Sequence, residues 1–485
     1  MLKPIRIHGW ALLAVVVFVP TLHAQETDAP KNDPREQPVA PVPAPLPAGS
    51  TSVFALNPGQ APTGEAQVTG RHWPLSGVEE PTLGPRFGAR NFLLPSVTVM
   101  SQMATNFSGA GSGGPTAFNY VLGTLDLNHV SDRSEVLLRY AGGEMLSSYL
   151  NSAIQDVEFS YTYRWQRWSL LVGDQASFLS ESSFGFGGVG GLAFLNGASQ
   201  FNPGGAFGSF LNAYLTPNQT IPTILVPRLS NTAVSQIEYT LSPRSSWTAS
   251  GSYEMLNFLG VGFINSAEAL FQTGYNYALS PLSSVAVVYR YHDFRFTHLP
   301  QAIEDHVMQF GYARNVTGRM NFHFVAGPSM ELLRGVVTGS ANRLSWAVDS
   351  SLSYRLEHTT LLIGYDRFVT GGSGVLVGAQ TGQVEAAVER KLSPKWQGSA
   401  SLGYATNKSV FPSNTNLGKQ QYNSWYAALR FNHQLRPGMA LFMSYGARRQ
   451  ANNAPTCVTP SCGTTSISHQ LSVGFNFDLR PISLR

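Results

Sequence analysis

From residue 92 onward, polar and apolar side chains alternate with period two over stretches of about 10 to 14 residues, and such a chain buries its apolar side only as sheet. In "WTASGSYEM", Trp247, Ala249, Gly251, Tyr253 and Met255 share one face, and Thr248, Ser250, Ser252 and Glu254 share the other. "EALFQTGYNYAL" sets Ala269, Phe271, Tyr275, Tyr277 and Leu279 against Glu268, Gln272 and Asn276. "RLSWAVDSSLSYRL" repeats the pattern with Leu344, Trp346, Val348, Leu352, Tyr354 and Leu356 against Asp349, Ser351, Ser353 and Arg355. No segment carries a sustained helical stripe, and Gly, Ser, Thr, Tyr and Val at this density disfavour helix. The strands of a soluble sandwich average about 5 to 6 residues. These are twice that, the length at which a tilted strand crosses a bilayer.

The connections have a rhythm of their own. "LSPRSSW" at 241–247, "LSPLSSV" from Leu279 and "LSPKW" from Leu392, with "LRPGM" from Leu435 as a looser relative, recur at about 38 residues or a multiple of it. Each reads as a tight turn between two long strands, where Pro gives up no ladder hydrogen bond. Short turns are expected near residues 131, 165, 243, 281, 317, 357, 394 and 437. Longer loops are expected near 106–116, 144–152, 181–231, 257–266, 297–302, 330–341, 368–375, 408–420 and 451–464. Together they separate about 18 strands (16 to 18), with both ends of the sheet on the short-turn side. The aromatics Tyr239, Trp247, Tyr277, Tyr354 and Trp396 fall beside the turns, where a water–lipid boundary would favour them.

Composition agrees with a wall that faces lipid. Only 12% of residues are charged, about half of the roughly 25% usual in soluble domains. The net charge of +4 is spread along the chain without a basic run, which excludes a nucleic-acid surface. Lys3 and Arg6 precede an apolar run from Trp10 to Pro20 and the small residue Ala24, so residues 1–24 read as a cleaved signal peptide, the run being too short to span a bilayer. Residues 25–47 are a Pro-rich tether expected to be disordered, residues 48–91 a periplasmic extension with little regular structure, and 92–485 the sheet. Cys457 and Cys462, close together in an exported chain, read as a local disulfide. No metal or cofactor motif is visible and none is expected.

Residues 92–485 resemble the bacterial outer-membrane β-barrel proteins, and among them the large porin-like barrels. The likeness rests on the alternation, the aromatic edges, the short turns on one side, and the strand "QLSVGFNFDL", where Leu471, Val473, Phe475, Phe477 and Leu479 share a face. It implies an all-β fold, a transmembrane antiparallel barrel with short periplasmic turns and long external loops. It also implies outer-membrane lipid and the barrel-assembly machinery as partners, a small-molecule solute, and a homo-oligomer. Such barrels commonly end in an aromatic residue; this chain ends "DLRPISLR", so Phe477 is expected to take that part from an internal position.

A barrel this wide leaves an aqueous lumen. With the polar face inward, Glu238, Glu254, Glu268, Arg290, Asp349, Arg355, Arg430 and Arg448 line it, and their mixed signs argue against strong ion selectivity; the competing reading is that they brace the wall through salt bridges. The loop at 181–231 has no charge between Glu181 and Arg228. Phe184, Phe186, Phe194, Asn196, Phe201, Asn202, Phe207, Phe210 and Tyr214 punctuate it. Its place as third external loop, similar to the porin loop that folds inward, implies an uncharged constriction favouring small neutral or amphipathic solutes; packing on the rim is the alternative.

Two rival functions remain. An outer-membrane hydrolase would need a catalytic constellation, but His292 and Asp293 are adjacent on a strand and point to opposite faces, His306 and His323 are isolated, and neither G-x-S-x-G nor H-E-x-x-H occurs. A wall component for polysaccharide export or surface attachment would use the Pro-rich tether to hold a partner. The expected function is a non-enzymatic diffusion channel.

Overall fold

The structure, a computed structural model, describes residues 75–77, 91–105, 115–147, 151–179, 221, 226–336, 339–411, 420–453 and 466–484. The first five strands are β1 (Phe92–Ala104), β2 (Thr116–Val130), β3 (Ser134–Ser147), β4 (Ser152–Arg164) and β5 (Trp168–Leu179). After the longest connection come β6 (Arg228–Ser242), β7 (Ser245–Phe258), β8 (Ser266–Ser280), β9 (Ser283–Phe296), β10 (Ala302–Thr317), β11 (Met320–Val336) and β12 (Gly339–Arg355). The circuit continues with β13 (Thr359–Thr370), β14 (Ala379–Lys391), β15 (Trp396–Ser409), β16 (Gln421–Arg436), β17 (Met439–Asn452), β18 (Ser466–Asp478) and the short β19 (Ile482–Ser483).

From β1 to β18 each strand pairs antiparallel with its neighbours in sequence, and β1 closes the ring on β18 from Ser96↔Asp478 to Ala104↔Gln470. The result is a closed barrel of 18 strands, with β19 extending the seam against Phe92 and Leu93. Closure leaves no free edge, which lets a sheet sit in hydrocarbon with every ladder group paired.

The alternation divides cleanly into two faces. Outward positions carry exposed apolar side chains such as Val99, Phe271, Phe310, Leu402 and Leu471, while their neighbours Gln272, Gln309, Ser401 and Ser472 are buried inside. That apolar outer surface is the lipid belt of a transmembrane barrel. Near the short turns it ends in aromatics: Trp168 packs on Tyr239 at 4.4 Å, Trp396 stacks on His433 at 4.3 Å, and Trp247, Tyr277 and Tyr354 are exposed.

The Leu-Ser-Pro motif now has a local explanation. Ser242, Ser280 and Ser393 each accept, on the side-chain hydroxyl, the backbone N–H two residues on, from Arg244 (3.2 Å), Leu282 (3.2 Å) and Lys395 (3.4 Å). The hydroxyl turns the chain while the intervening proline holds φ and needs no acceptor. Register shifts beside the turns at Thr240/Ser242 and Ala278/Ser280 mark the bulges that complete the reversal.

One expected loop is strand instead. Residues 330–341 do not form a long connection: β11 runs to Val336 and β12 starts at Gly339, and both strands are 17 residues long. The apparent break at "LLRG" is a bulge, with a register shift between Leu333 and Val336 and Gly335 at φ 73°, the left-handed region that glycine reaches without a Cβ penalty.

Within residues 48–91, which were expected to be a periplasmic extension, the structure describes Leu75–Gly77 and Asn91; Leu75–Gly77 lies against the inner wall of the barrel, where the Ser76 N–H donates to Asn276 Oδ1 on β8 at 3.1 Å.

Candidate solute path through the barrel

Strand parity sets Glu238, Glu254, Glu268, Arg290, Asp349, Arg355, Arg430 and Arg448 on the inward face, with Arg290 and Arg430 buried and the other six half-buried. They do not form one cluster. Glu254 and Glu268 face each other as register partners, and His292 Nδ1 lies 2.5 Å from Glu268 Oε1. Arg290 Nε donates to Gln272 Oε1 at 2.7 Å. Asp349 sits 3.7 Å from His323 Nδ1. Arg430 donates to Asn432 (2.9 Å) with its guanidinium 5.1 Å from the Phe442 ring. Glu238 and Arg355 lie toward the short turns, and Arg448 toward the long loops.

Parity also reaches inward charges that were not singled out from sequence. Arg139 on β3 sits 3.1 Å from Asp126 on β2 and 3.8 Å from Glu158 on β4. On the other side, Ser329 donates to Asp305 (2.7 Å), Ser345 donates to Glu331 (2.8 Å), and Arg343 lies 3.7 Å from Glu331 and donates to Gln380 (2.6 Å). Gln383 holds Asp366 at 3.1 Å. Inward charges thus take a hydrogen bond or an opposite charge from neighbouring residues, while two like-charged register pairs, Glu254–Glu268 and Asp349–Asp366, face each other across adjacent strands.

Not all of the inner wall is polar. Met100, Phe118, Tyr120, Leu122, Ala141, Met145, Ile154 and Phe442 form one buried cluster over β1–β4 and β17. The upper strand ends, on the long-loop side, are apolar too. Phe294, Phe296, Ile303, Leu333, Val369 and Val410 pack together, joined by Ile264, Val377 and Phe411.

The β13–β14 connection, 371–378, ties this layer together. Ile264 N–H donates to Gly374 C=O at 2.9 Å. Gly374, at φ 75°, leaves the space taken by the Phe258 ring, and a Cβ on Gly378 would run into Ile303. Leu376 is buried with Ala379, Tyr422 and Ile221. Ile221 belongs to the connection between β5 and β6, so that connection reaches inward-facing residues of β14 and β16, on the far side of the ring from the strands it joins. Val226, at its other end, packs with Leu256 and Phe258 on β7.

The residues expected to form the constriction, Phe184, Phe186, Phe194, Asn196, Phe201, Asn202, Phe207, Phe210 and Tyr214, lie outside the described residues, as do Cys457 and Cys462. The histidines of the hydrolase reading are dispersed. His292 points inward and Asp293 outward to Arg295 (2.8 Å). His306 meets Tyr289 (2.9 Å) on the outer face, while His323 is inside. No group of three metal-ligating side chains occurs among the described residues.

A closed 18-strand antiparallel ring, apolar outside and largely polar and paired inside, is a porin-like β-barrel of the bacterial outer membrane. Solved structures similar to this chain include OccK2 (OpdF) of Pseudomonas aeruginosa in complex with glucuronate, at a TM-score of 0.42 and 11% identity over 80% of this chain and 98% of that one. OpdL of Pseudomonas aeruginosa gives 0.42 and 10% over 80% and 99%, and OccAB3 of Acinetobacter baumannii 0.41 and 9% over 80% and 99%. No protein-family model matches the chain, and no curated protein matches it by sequence.

Proposed function

We propose that the protein is a diffusion channel for small neutral or amphipathic solutes, narrowed at its external mouth by the β5–β6 connection folding into the barrel. The observation that carries this reading is Ile221, 1% exposed and packed on Leu376, Ala379 and Tyr422. A connection that only capped the outer rim would have no reason to place an isoleucine there. The 371–378 loop supports the same reading, since it adds apolar surface at the same level and no charge. Below it, charges of both signs in neighbouring pairs give a solute little reason to prefer either sign. The apolar inner arc of β1–β4 offers a surface to the apolar side of an amphipathic solute, or to the aromatic loop itself.

Single-channel recording in planar bilayers tests the proposal, comparing the full chain with Ile221→Asp and with a variant lacking 185–225. Discrete steps are expected from the full chain, with larger steps from both variants and a reversal potential near zero in a salt gradient. Folded samples that stay silent in all three forms would sink the channel reading. Steps unchanged by either variant would remove the constriction.

A further inference from the structure

The inner wall at the closing seam carries polar atoms that its own neighbours do not satisfy. Gln102 on β1 is 1% exposed, and Ser444 on β17 and Gln470 on β18 are each 4% exposed. Among the described residues, neither Nε2 nor Oε1 of Gln102 finds a hydrogen-bond partner, nor does Gln470 Oε1 or Ser444 Oγ. A buried donor or acceptor in this state forfeits its hydration, so native proteins keep few of them, and here four such atoms fall on three adjacent strands. The register brings them together. Gln102 pairs with Ser472 on β18, and Ser472 with Ser444 on β17. Gln470 is the next inward residue on the long-loop side of Ser472, and its register partners are the small residues Ala104 and Gly446.

An apolar border runs beside this row. Phe118 on β2 is the other register partner of Gln102. One inward step toward the short turns, Met100 and Phe442 flank Gly474, over which the Phe442 ring lies. Phe118, Met100 and Phe442 belong to one buried cluster. Arg430 on β16, register partner of Ser444, is engaged elsewhere: its Nε donates to Asn432 (2.9 Å) and its guanidinium lies 5.1 Å from the Phe442 ring. No carboxylate stands among Gln102, Ser472, Ser444 and Gln470 or their register partners.

We propose that the β17–β18–β1 seam is a binding site for a neutral, hydroxyl-rich solute with one apolar side, a monosaccharide being the simplest case. Gln102, Gln470 and Ser444 exchange hydrogen bonds with its hydroxyls, and Phe118, Met100 and Phe442 meet its apolar side. The unmet atoms select for hydroxyls. Gln102 offers a donor and an acceptor, Gln470 an acceptor, and Ser444 either. A hydroxyl both gives and takes, so it meets all of them. A carboxylate only accepts, which leaves Gln102 Oε1 and Gln470 Oε1 unmet; an ammonium only donates, which leaves Gln102 Nε2 unmet. A solute that bonds to these atoms displaces no existing protein partner. The site rests on the channel reading above for its role in passage, and it names the chemistry of the solute.

Two measurements on the refolded full chain separate the site from the channel. Equilibrium dialysis in detergent with labelled D-galactose needs no conduction. Saturable binding is expected, weakened about tenfold by Gln102→Leu, as the loss of one or two net hydrogen bonds does. Ser444→Ala should weaken it in the same direction, with the folding of each variant checked by heat-modifiable migration on gels. Unlabelled galactose should compete, while D-galacturonate and D-galactosamine should not. In planar bilayers, galactose should lower the conductance of the wild type and leave that of Gln102→Leu unchanged at the same concentration. No saturable binding, or equal affinity in folded wild type and both variants, overturns the site; discrete steps in the same samples would leave the channel reading standing. Competition by galacturonate as strong as by galactose overturns the neutral class. Binding that Gln102→Leu weakens, in a protein that never conducts, would support the site and remove the channel.

Discussion

The Tyr426 hydroxyl on β16 donates a 2.9 Å hydrogen bond to Glu385 on β14, reaching across an entire strand. The residue between them is Gly403, register partner of both, and a Cβ there would run into the Tyr426 ring. Glycine is what allows the ring to lie flat along the wall. The same device recurs at Gly474, register partner of both Met100 and Phe442, over which the Phe442 ring lies.

Gly403→Val should therefore displace Tyr426 and break its bond to Glu385, costing about 1–3 kcal/mol by overpacking. Gly382→Ala is the matched control, because a Cβ there meets only Thr406 Cγ2 at 3.5 Å. Urea unfolding of the refolded barrel, followed by tryptophan fluorescence, should separate the two. Equal midpoints would show that Gly403 is not needed for the aromatic crossing.

The lipid belt makes a sharper demand. Leu402 lies at the middle of β15 and is 51% exposed on the outer face. Leu402→Arg should cost about 2–4 kcal/mol, as a cation at the bilayer midplane does. Leu402→Ile should be close to neutral. The folded fraction after refolding into vesicles, read from heat-modifiable migration on gels, gives the comparison.

Arg139 controls local charge inside the barrel. Arg139→Gln removes the guanidinium between Asp126 and Glu158 and leaves both carboxylates facing the lumen. One positive charge fewer makes that arc more negative, so the reversal potential in a KCl gradient should move toward cation selectivity. The difference should shrink at 1 M salt, where the screening length falls to about 3 Å. Loss of the charged hydrogen bond should also lower stability by about 1.5–3 kcal/mol.

At the mouth, Gly374→Ala meets two obstacles, a φ of 75° and the Phe258 ring. The 371–378 loop should come away from its seat at a cost of at least about 1 kcal/mol. Larger conductance steps and faster external proteolysis within 371–378 are the expected readouts. Unchanged steps would mean that the loop does not limit the path.

Much of this molecule was legible because a sheet writes itself as period two. Each of the short turns expected from the Leu-Ser-Pro rhythm and its relatives coincides with a tight connection, since the serine and proline act within four residues of chain. The break at 330–341 misled because Leu332, Leu333 and Gly335 interrupt the alternation as a loop would, whereas a bulge absorbs them and the ladder resumes. The apolar arc over β1–β4 was hidden for another reason: Val97, Val99 and Val121 outside and Met100, Tyr120 and Leu122 inside are all apolar, so alternation carries no signal. The contacts of Ile221 and Ser76 leave no local trace at all. Their partners are ordinary inward residues that acquire meaning only when the ring brings distant segments together.

The seam between β1 and β18 pairs Ser96 with Asp478, almost the whole length of the barrel sequence apart. A chain emerging from its N-terminus has β1 long before its partner exists, and until β18 arrives both β1 and β17 present open backbone to any strand they meet. Closure therefore joins the two strands farthest apart in the chain and carries the largest loop-closure entropy in the barrel. The cell must keep an unfinished sheet with two adhesive borders from joining its neighbours before it can join itself.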